Sequence, residues 1–234
     1  MRLGWVFGGY MNALIGSSAT KGTQGFRNAD TRSAHAAKRV FDLILCIAIL
    51  PIVILIAIPI VALIVLDGGS PFYSQLRVGR YGREFRCLKF RTMNVDAERR
   101  LAELLETNPA SRAEWNTSRK LKADPRVTWV GPFLRKTSLD ELPQILNVLR
   151  GEMSLVGPRP VVMGELGMYG DSVTCYLACL PGITGLWQIS GRNDVSYQTR
   201  VKFDREYAES WSMLLDLKVL FLTIPAVLAR KGAY

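Results

Sequence analysis

The heptapeptide Ser138-Leu139-Asp140-Glu141-Leu142-Pro143-Gln144 sets two carboxylates side by side where a helix is expected to begin. Ser138 as N-cap, with Glu141 three residues on, reads as a capping box. That accounts for Ser138 and Glu141 but gives Asp140 and Pro143 no task, and a proline so deep in a first turn costs the helix a hydrogen bond. Adjacent carboxylates at a helix N-terminus lie in a positive local field that favours their ionised form. Asp140 is therefore suited to act either as a nucleophile or as a metal ligand.

Groups that bind phosphate accompany this pair. Gly157-Pro158-Arg159-Pro160 is a rigid turn that presents an arginine, Gly191-Arg192-Asn193 offers another, and Lys89 and Arg91 close a short extended region. Taken singly, each is a solvated surface charge. Several glycine-flanked arginines in one small domain, together with acidic pairs, point to a substrate with more than one phosphate. There is no Walker loop and no G-x-G-x-x-G, so a nucleotide would be held by side chains. Asp204, Glu206 and Asp216 add carboxylates that ordinarily serve as structural ion-pair partners. Mg2+ on a diphosphate needs only one or two carboxylates beside its waters, so these acids suffice without a dedicated cage. The single histidine, His35, lies in a polar N-terminal stretch, which excludes a Ser-His-Asp hydrolase and a His-ligated metal enzyme. Cys46, Cys87, Cys175 and Cys179 contain no C-x-x-C pair, so neither a zinc site nor a disulfide framework is indicated and a reducing compartment fits.

The elements that must position these groups begin at a membrane. A net charge of +10 with 49% hydrophobic residues suits a protein resting on anionic lipid. Nucleic acid is the competing partner, but no basic recognition helix or aromatic stacking strand is present. Leu43 to Leu66 carries no charged or hydrogen-bonding side chain apart from the Cys46 thiol. As a helix it would be about 36 Å long against a hydrocarbon core of about 30 Å. Pro51 and Pro59 fall inside it, and basic residues flank both ends: Lys38 and Arg39 before, Arg77 to Arg91 after. The positive-inside rule keeps both flanks cytoplasmic, which a bent, re-entrant helix allows and a straight span does not.

Three segments follow: an N-terminal tail over 1–36, a membrane-embedded re-entrant helix over 37–67 and a cytoplasmic catalytic domain over 68–234. The first twenty residues resemble a signal peptide only weakly, because Gly8, Gly9 and Asn12 interrupt their apolar stretch. Within the domain, Ser70 to Met93 reads as a hairpin, Asp96 to about Lys122 as a charged helical region broken near Asn108-Pro109, and 139–150 as a helix with Leu139, Leu142, Leu146 and Leu149 on one face. Trp211 to Leu228 is apolar with Asp216 and Lys218 interspersed. It belongs to the core or to the headgroup layer, core being the commoner fate of such stretches.

The order of these motifs resembles the bacterial sugar transferases, the monotopic phosphoglycosyl transferases. The resemblance runs from about Lys38 to the C-terminus. It is carried by Lys38-Arg39-Val40-Phe41-Asp42, Lys89-Phe90-Arg91-Thr92-Met93, Asp124-Pro125-Arg126-Val127-Thr128, the heptapeptide at 138–144, Gly151 to Pro160, and Pro181-Gly182-Ile183-Thr184-Gly185. Leu186 to Tyr197 and Thr223 to Val227 are similar to the ExoY-type undecaprenyl-phosphate galactose phosphotransferases. The resemblance implies an α+β fold: a helix-rich cytoplasmic catalytic domain with a small β element, anchored at the inner membrane by the re-entrant helix and interfacial helices. It implies transfer of a hexose 1-phosphate, galactose or glucose, from a UDP-sugar to undecaprenyl phosphate with release of UMP.

In that scheme Asp140 is the nucleophile that holds the sugar phosphate, and a ligand of Mg2+. Glu141 is its dyad partner. Lys89, Arg91, Arg159 and Arg192 contact phosphate, and Asp204 is a supporting carboxylate. Direct metal-assisted transfer on the same substrates, and a non-catalytic membrane scaffold, are the alternatives. The expected partners are UDP-sugar, undecaprenyl phosphate and membrane lipid; a homo-oligomer is compatible and nucleic acid is not expected. One departure stands out: the family breaks its membrane helix at a Ser-Pro pair, whereas here Leu50 and Ile58 precede the prolines.

Overall fold

The computed structural model describes residues 29–118, 121, 124–191 and 195–228. Its architecture is α+β, mostly helical, with two two-stranded sheets among the described residues. The long helix α1, Ala29–Leu66, runs without interruption through Pro51 and Pro59. It starts at Ala29 rather than at residue 37, and the tail before it lies outside the described residues. One side of α1 is buried at Cys46, Ile60 and Ile64, while Ile44, Ile47, Ile52, Leu55 and Ile58 are exposed on the other. An apolar surface of that extent on one helix is what a lipid environment requires.

Both ends of α1 are fastened to the same domain. Near its start, Lys38 pairs with Asp216, Asp42 accepts from Ser154 Oγ at 2.7 Å, and Arg39 donates to the Val148 and Leu149 carbonyls. At its end, the Arg91 guanidinium donates to the carbonyl of Ile64 in the last turn and to those of Gly68 and Ser70 just beyond it, tying the helix C-terminus to the end of β2. Gly68 and Gly69, at φ +80° and +83°, then turn the chain in a conformation that side-chain-bearing residues avoid.

Strands β1, Phe72–Val78, and β2, Glu84–Phe90, form an antiparallel hairpin in the register Phe72 to Phe90 and Val78 to Glu84. Helices α2, Ala97–Thr107, and α3, Pro109–Ser118, follow with their break at Asn108, as the Asn-Pro step implied. Then come α4, Gly131–Thr137, a 3-10 turn at Leu139–Glu141, and α5, Gln144–Arg150. Buried Asn147 on α5 fastens the hairpin, accepting from Leu88 N at 3.0 Å and donating to Arg86 O at 2.8 Å.

The capping box expected at Ser138 does not form. Ser138 takes a left-handed conformation, φ 57°, its side chain makes no capping bond, and α5 starts only after Pro143. The proline explains the difference: a residue without an N–H is harmless at a helix boundary and costly inside, so the helix begins behind it. The leucine stripe divides accordingly. Leu139 and Leu142 pack with Ile60, Ile64, Phe90 and Leu134, Leu149 joins a second cluster around Cys46 and Val148, and Leu146 remains 40% exposed.

Strands β3, Ser154–Val156, and β4, Gly182–Thr184, pair in parallel. Their approach is too close for side chains: a Cβ on Gly182 would collide with the Gly157 amide, and one on Gly157 with the Leu180 carbonyl. The two glycine motifs of the sequence thus meet. Helices α6, Val173–Ala178, α7, Leu186–Ile189, α8, Tyr197–Ser210, and α9, Met213–Leu228, complete the domain. Trp211 to Leu228 is core on one side only. Asp216 and Val219 are fully buried, whereas Leu214, Leu217, Phe221 and Ile224, at helical spacing, are exposed.

Candidate active site

Asp140 and Glu141 lie on the 3-10 turn between α4 and α5. Leu139 and Leu142, on either side of them, pack against the apolar cluster that Ile60 and Ile64 of α1 form with Phe90, Val130 and Leu134. From β2, Lys89 Nζ reaches Glu141 Oε1 at 2.6 Å and stands 3.6 Å from Asp140 Oδ2. The Gly157–Gly182 contact fixes the start of the Pro158-Arg159-Pro160 turn, and Arg77 on β1 donates to Pro160 O at 3.1 Å from the other side. Arg159 so held lies 3.7 Å from Glu141 Oε1 and over the ring of buried Trp187 at 5.7 Å; Arg200 covers the same ring at 4.6 Å.

These surroundings separate the two acids. Burial raises the Asp140 pKa, and the negative charge of Glu141 adds to that, against a lowering by Lys89. Burial also works against the Glu141 carboxylate, but Lys89, Arg159 and Arg77 outweigh it and hold its pKa at about 2. Glu141 is the fixed anion, and Asp140 is the member that takes up a proton first. Asp140 accepts no hydrogen bond from any described residue, and its ion pair with Lys89 is the looser one, at 3.6 Å.

Beside Glu141 lies a cavity of about 10 Å³ walled by Arg77, Lys89, Gln144, Arg159 and Gln188. That is room for about one water, so a larger ligand must move side chains to bind there. The balance of the wall is cationic and the pair beneath it anionic. Such a site accepts a polyanion at the arginines and lysine while presenting a carboxylate to it.

The other expected residues are distributed differently. Arg91 is engaged at the end of α1, where Asp67 is its ionic neighbour at 3.8 Å. Asp204 is buried behind Arg159, accepting from Tyr169 Oη at 2.7 Å. Its pKa is pushed up to about 7, first by burial, against the Tyr169 hydrogen bond and the charge of Arg159. Arg192 lies outside the described residues. No group of three potential metal-binding side chains occurs among the described residues. Asp140, which accepts no hydrogen bond from a described residue, is the carboxylate that would be available to a Mg2+ needing only one or two protein ligands.

Residues that sequence reasoning passed over also stand here. Arg135, at the end of α4, donates to Thr92 Oγ1 at 3.0 Å and acts electrostatically with Asp140. A basic residue closing the helix before an acidic turn was the available signal. Arg77 and the Trp187–Arg200 stack had none, since only the fold brings them together.

The sequence model for bacterial sugar transferases matches residues 33–230. The chain is 52% identical over 207 residues to a UDP-galactose-lipid carrier transferase of Erwinia amylovora, covering 88% of this chain and 43% of that one. It is 54% identical over 204 residues to the exopolysaccharide production protein ExoY of Sinorhizobium fredii, covering 85% of this chain and 88% of that one. A UDP-glucose:undecaprenyl-phosphate glucose-1-phosphate transferase of Escherichia coli is 36% identical over 206 residues, 84% of this chain and 41% of the relative. The chain thus spans less than half of the Erwinia and Escherichia relatives and most of ExoY. With the motifs, the dyad turn and these matches in agreement, the chain belongs to the bacterial sugar transferase family.

Proposed function

We propose that this protein transfers a hexose 1-phosphate from a UDP-sugar to undecaprenyl phosphate, with galactose favoured over glucose, as an early membrane step of exopolysaccharide synthesis. The names of the relatives support the substrates: one is a UDP-galactose-lipid carrier transferase, another an undecaprenyl-phosphate galactose phosphotransferase. The observation that carries the mechanism is the contrast within the dyad, an Asp140 that accepts no hydrogen bond from a described residue beside a Glu141 locked to Lys89.

An Asp140 carboxylate oxygen attacks the β-phosphorus, the bond from that phosphorus to the bridging oxygen breaks, and UMP leaves with both electrons. The sugar phosphate remains as an aspartyl phosphodiester. An oxygen of undecaprenyl phosphate then attacks the same phosphorus, the aspartyl bond breaks, and Asp140 is regenerated as carboxylate. Lys89 and Arg159 hold the phosphoryl oxygens and balance their charge, while Glu141 holds Lys89 in place. Asp140 would hold Mg2+, which would supply further charge neutralisation when bound. One nucleophile serves a water-soluble donor and a lipid acceptor in turn, which suits a turn whose flanking leucines join the apolar cluster that includes Ile60 and Ile64 of α1.

The same reading takes α1 as re-entrant in the inner membrane, with the catalytic domain cytoplasmic. Its support is that Lys38, Asp42 and Cys46 near one end, and Ile60 and Ile64 near the other, pack on one domain. A straight span would hold those ends apart by the bilayer, about 30 Å. The exposed Leu214, Leu217, Phe221 and Ile224 face of α9 lies in the headgroup layer as an interfacial helix. The deciding experiment is rapid quench of the purified protein with UDP-galactose and Mg2+, followed by mass spectrometry of the peptide containing Asp140. A sugar-phosphate adduct on Asp140 is expected; turnover without any adduct would leave direct metal-assisted transfer, and no UMP release would leave the scaffold.

A further inference from the structure

The cavity beside Glu141 is walled by two kinds of chemistry. Arg77, Lys89 and Arg159 are charged, whereas Gln144 and Gln188 are neutral amides. Gln144 is 2% exposed, yet its amide makes no hydrogen bond to a described residue. The buried Oε1 of Gln188 likewise has no partner. A buried amide oxygen is ordinarily paired, so the unpartnered Oε1 of Gln188 is a cost that packing does not explain, and the Gln144 amide on the same wall is bonded to no described residue either. Each is held from behind: Gln144 opens α5 directly after Pro143, and Gln188 sits on the one-turn α7 behind the Gly157–Gly185 approach.

A phosphate at neutral pH offers only acceptors and is matched by the cations. A hydroxyl both donates and accepts, and an amide is its complement. We propose that Gln144 and Gln188 read the hydroxyls of the donor's hexose and set the sugar preference of the enzyme. This rests on the donor reading above, since the hexose is attached to the phosphorus that Asp140 attacks. The donor must displace side chains to bind, and these two amides, held by no hydrogen bond, are able to turn toward it.

Uracil and ribose also carry donors and acceptors, so the test must separate the nucleoside from the hexose. The full chain in nanodiscs containing undecaprenyl phosphate is compared with Gln144→Met and Gln188→Met, which keep the volume and remove the amide. UMP release is measured with UDP-galactose and UDP-glucose, which differ at one hydroxyl, and UMP affinity is measured by product inhibition. Each variant is expected to lose about tenfold or more in kcat/KM for the preferred donor, with the preference between the epimers falling toward unity. UMP affinity should stay within about twofold of wild type, which also shows that the pocket remains folded. Variants with unchanged donor preference and kcat/KM overturn the assignment, as do variants whose UMP affinity falls in step with the donor. A wild-type protein that releases no UMP from any UDP-sugar instead overturns the transferase reading, and this one with it.

Discussion

Two polar clusters of this protein are built on opposite terms. Where α1 enters the domain, fully buried Asp216 accepts from Lys38, from Tyr207 Oη at 2.8 Å and from Trp211 Nε1 at 3.2 Å. In the dyad turn, Asp140 accepts no hydrogen bond from a described residue, the buried Oε1 of nearby Gln188 has no partner among them, and the Gln144 amide is bonded to none of them. The first cluster has spent its hydrogen-bonding capacity on the fold. The second keeps capacity in reserve, at an energetic cost that only a ligand recovers. Between these two clusters, the carboxylate that is fully hydrogen-bonded belongs to the architecture, and the one that accepts no hydrogen bond from a described residue is the candidate for chemistry.

Substitutions at the reserve side should give the largest losses of turnover. Asp140→Asn keeps the shape and removes the nucleophile. UMP release is expected to fall by about a thousandfold or more, with thermal stability equal to or above wild type because a buried carboxylate is removed. Substantial residual turnover in a preparation free of wild-type enzyme would break the contrast. Lys89→Met follows, with a loss of about a hundredfold in kcat/KM, read in the same assay. It also removes the charge that lowers the pKa of both acids, so both should titrate at higher pH than in wild type.

A pH profile sharpens the assignment inside the dyad. The folded pKa of Asp140 is raised, and the nucleophile must be ionised, so turnover is expected to fall as pH drops through a value above the ordinary aspartate range. Glu141→Gln removes the neighbouring negative charge that contributes to this rise. The acid limb of its residual activity should move to lower pH, by up to about one unit. A limb that stays in place would mean that another group titrates.

How much of this could be read from the chain differs by interaction range. The long apolar helix, the hairpin and the break at Asn108 are written in local composition, and so are the acidic pair and the basic residues Lys89 and Arg159 that the fold brings beside it. Asp140 and Glu141 were found for a partly mistaken reason: the capping box that seemed to explain Glu141 is absent, and Pro143, which seemed a cost, defines where α5 starts. Arg91 looked like a phosphate ligand because charge is visible in sequence and hydrogen-bond partners are not. Its carbonyl partners Ile64, Gly68 and Ser70 become apparent only when β2 returns to the end of α1. For the same reason Gln144 and Gln188, far apart in the chain and unremarkable in type, gave no signal. An unpaired amide is a property of a wall and not of a residue.

The smallest effect on chemistry belongs to the satisfied cluster. Asp216→Asn leaves Lys38 buried beside a neutral amide and is expected to destabilise the fold by about 3 kcal/mol or more, measured by thermal unfolding in detergent. Turnover per folded molecule should stay within about twofold of wild type, because no atom of the cluster belongs to the dyad turn. The pair Lys38→Met with Asp216→Leu removes both charges and should recover part of the lost stability, since the cost arises from a charge without its partner and not from the missing bridge itself. Trp211 limits the recovery, because its Nε1 loses the acceptor it has here, whereas the Tyr207 hydroxyl also donates to Val156 O at 2.9 Å and so keeps one partner. If Asp216→Asn abolished turnover while leaving the unfolding transition unchanged, the cluster at the base of α1 would be part of the catalytic machinery, and satisfaction of hydrogen bonds could no longer separate architecture from chemistry in this protein.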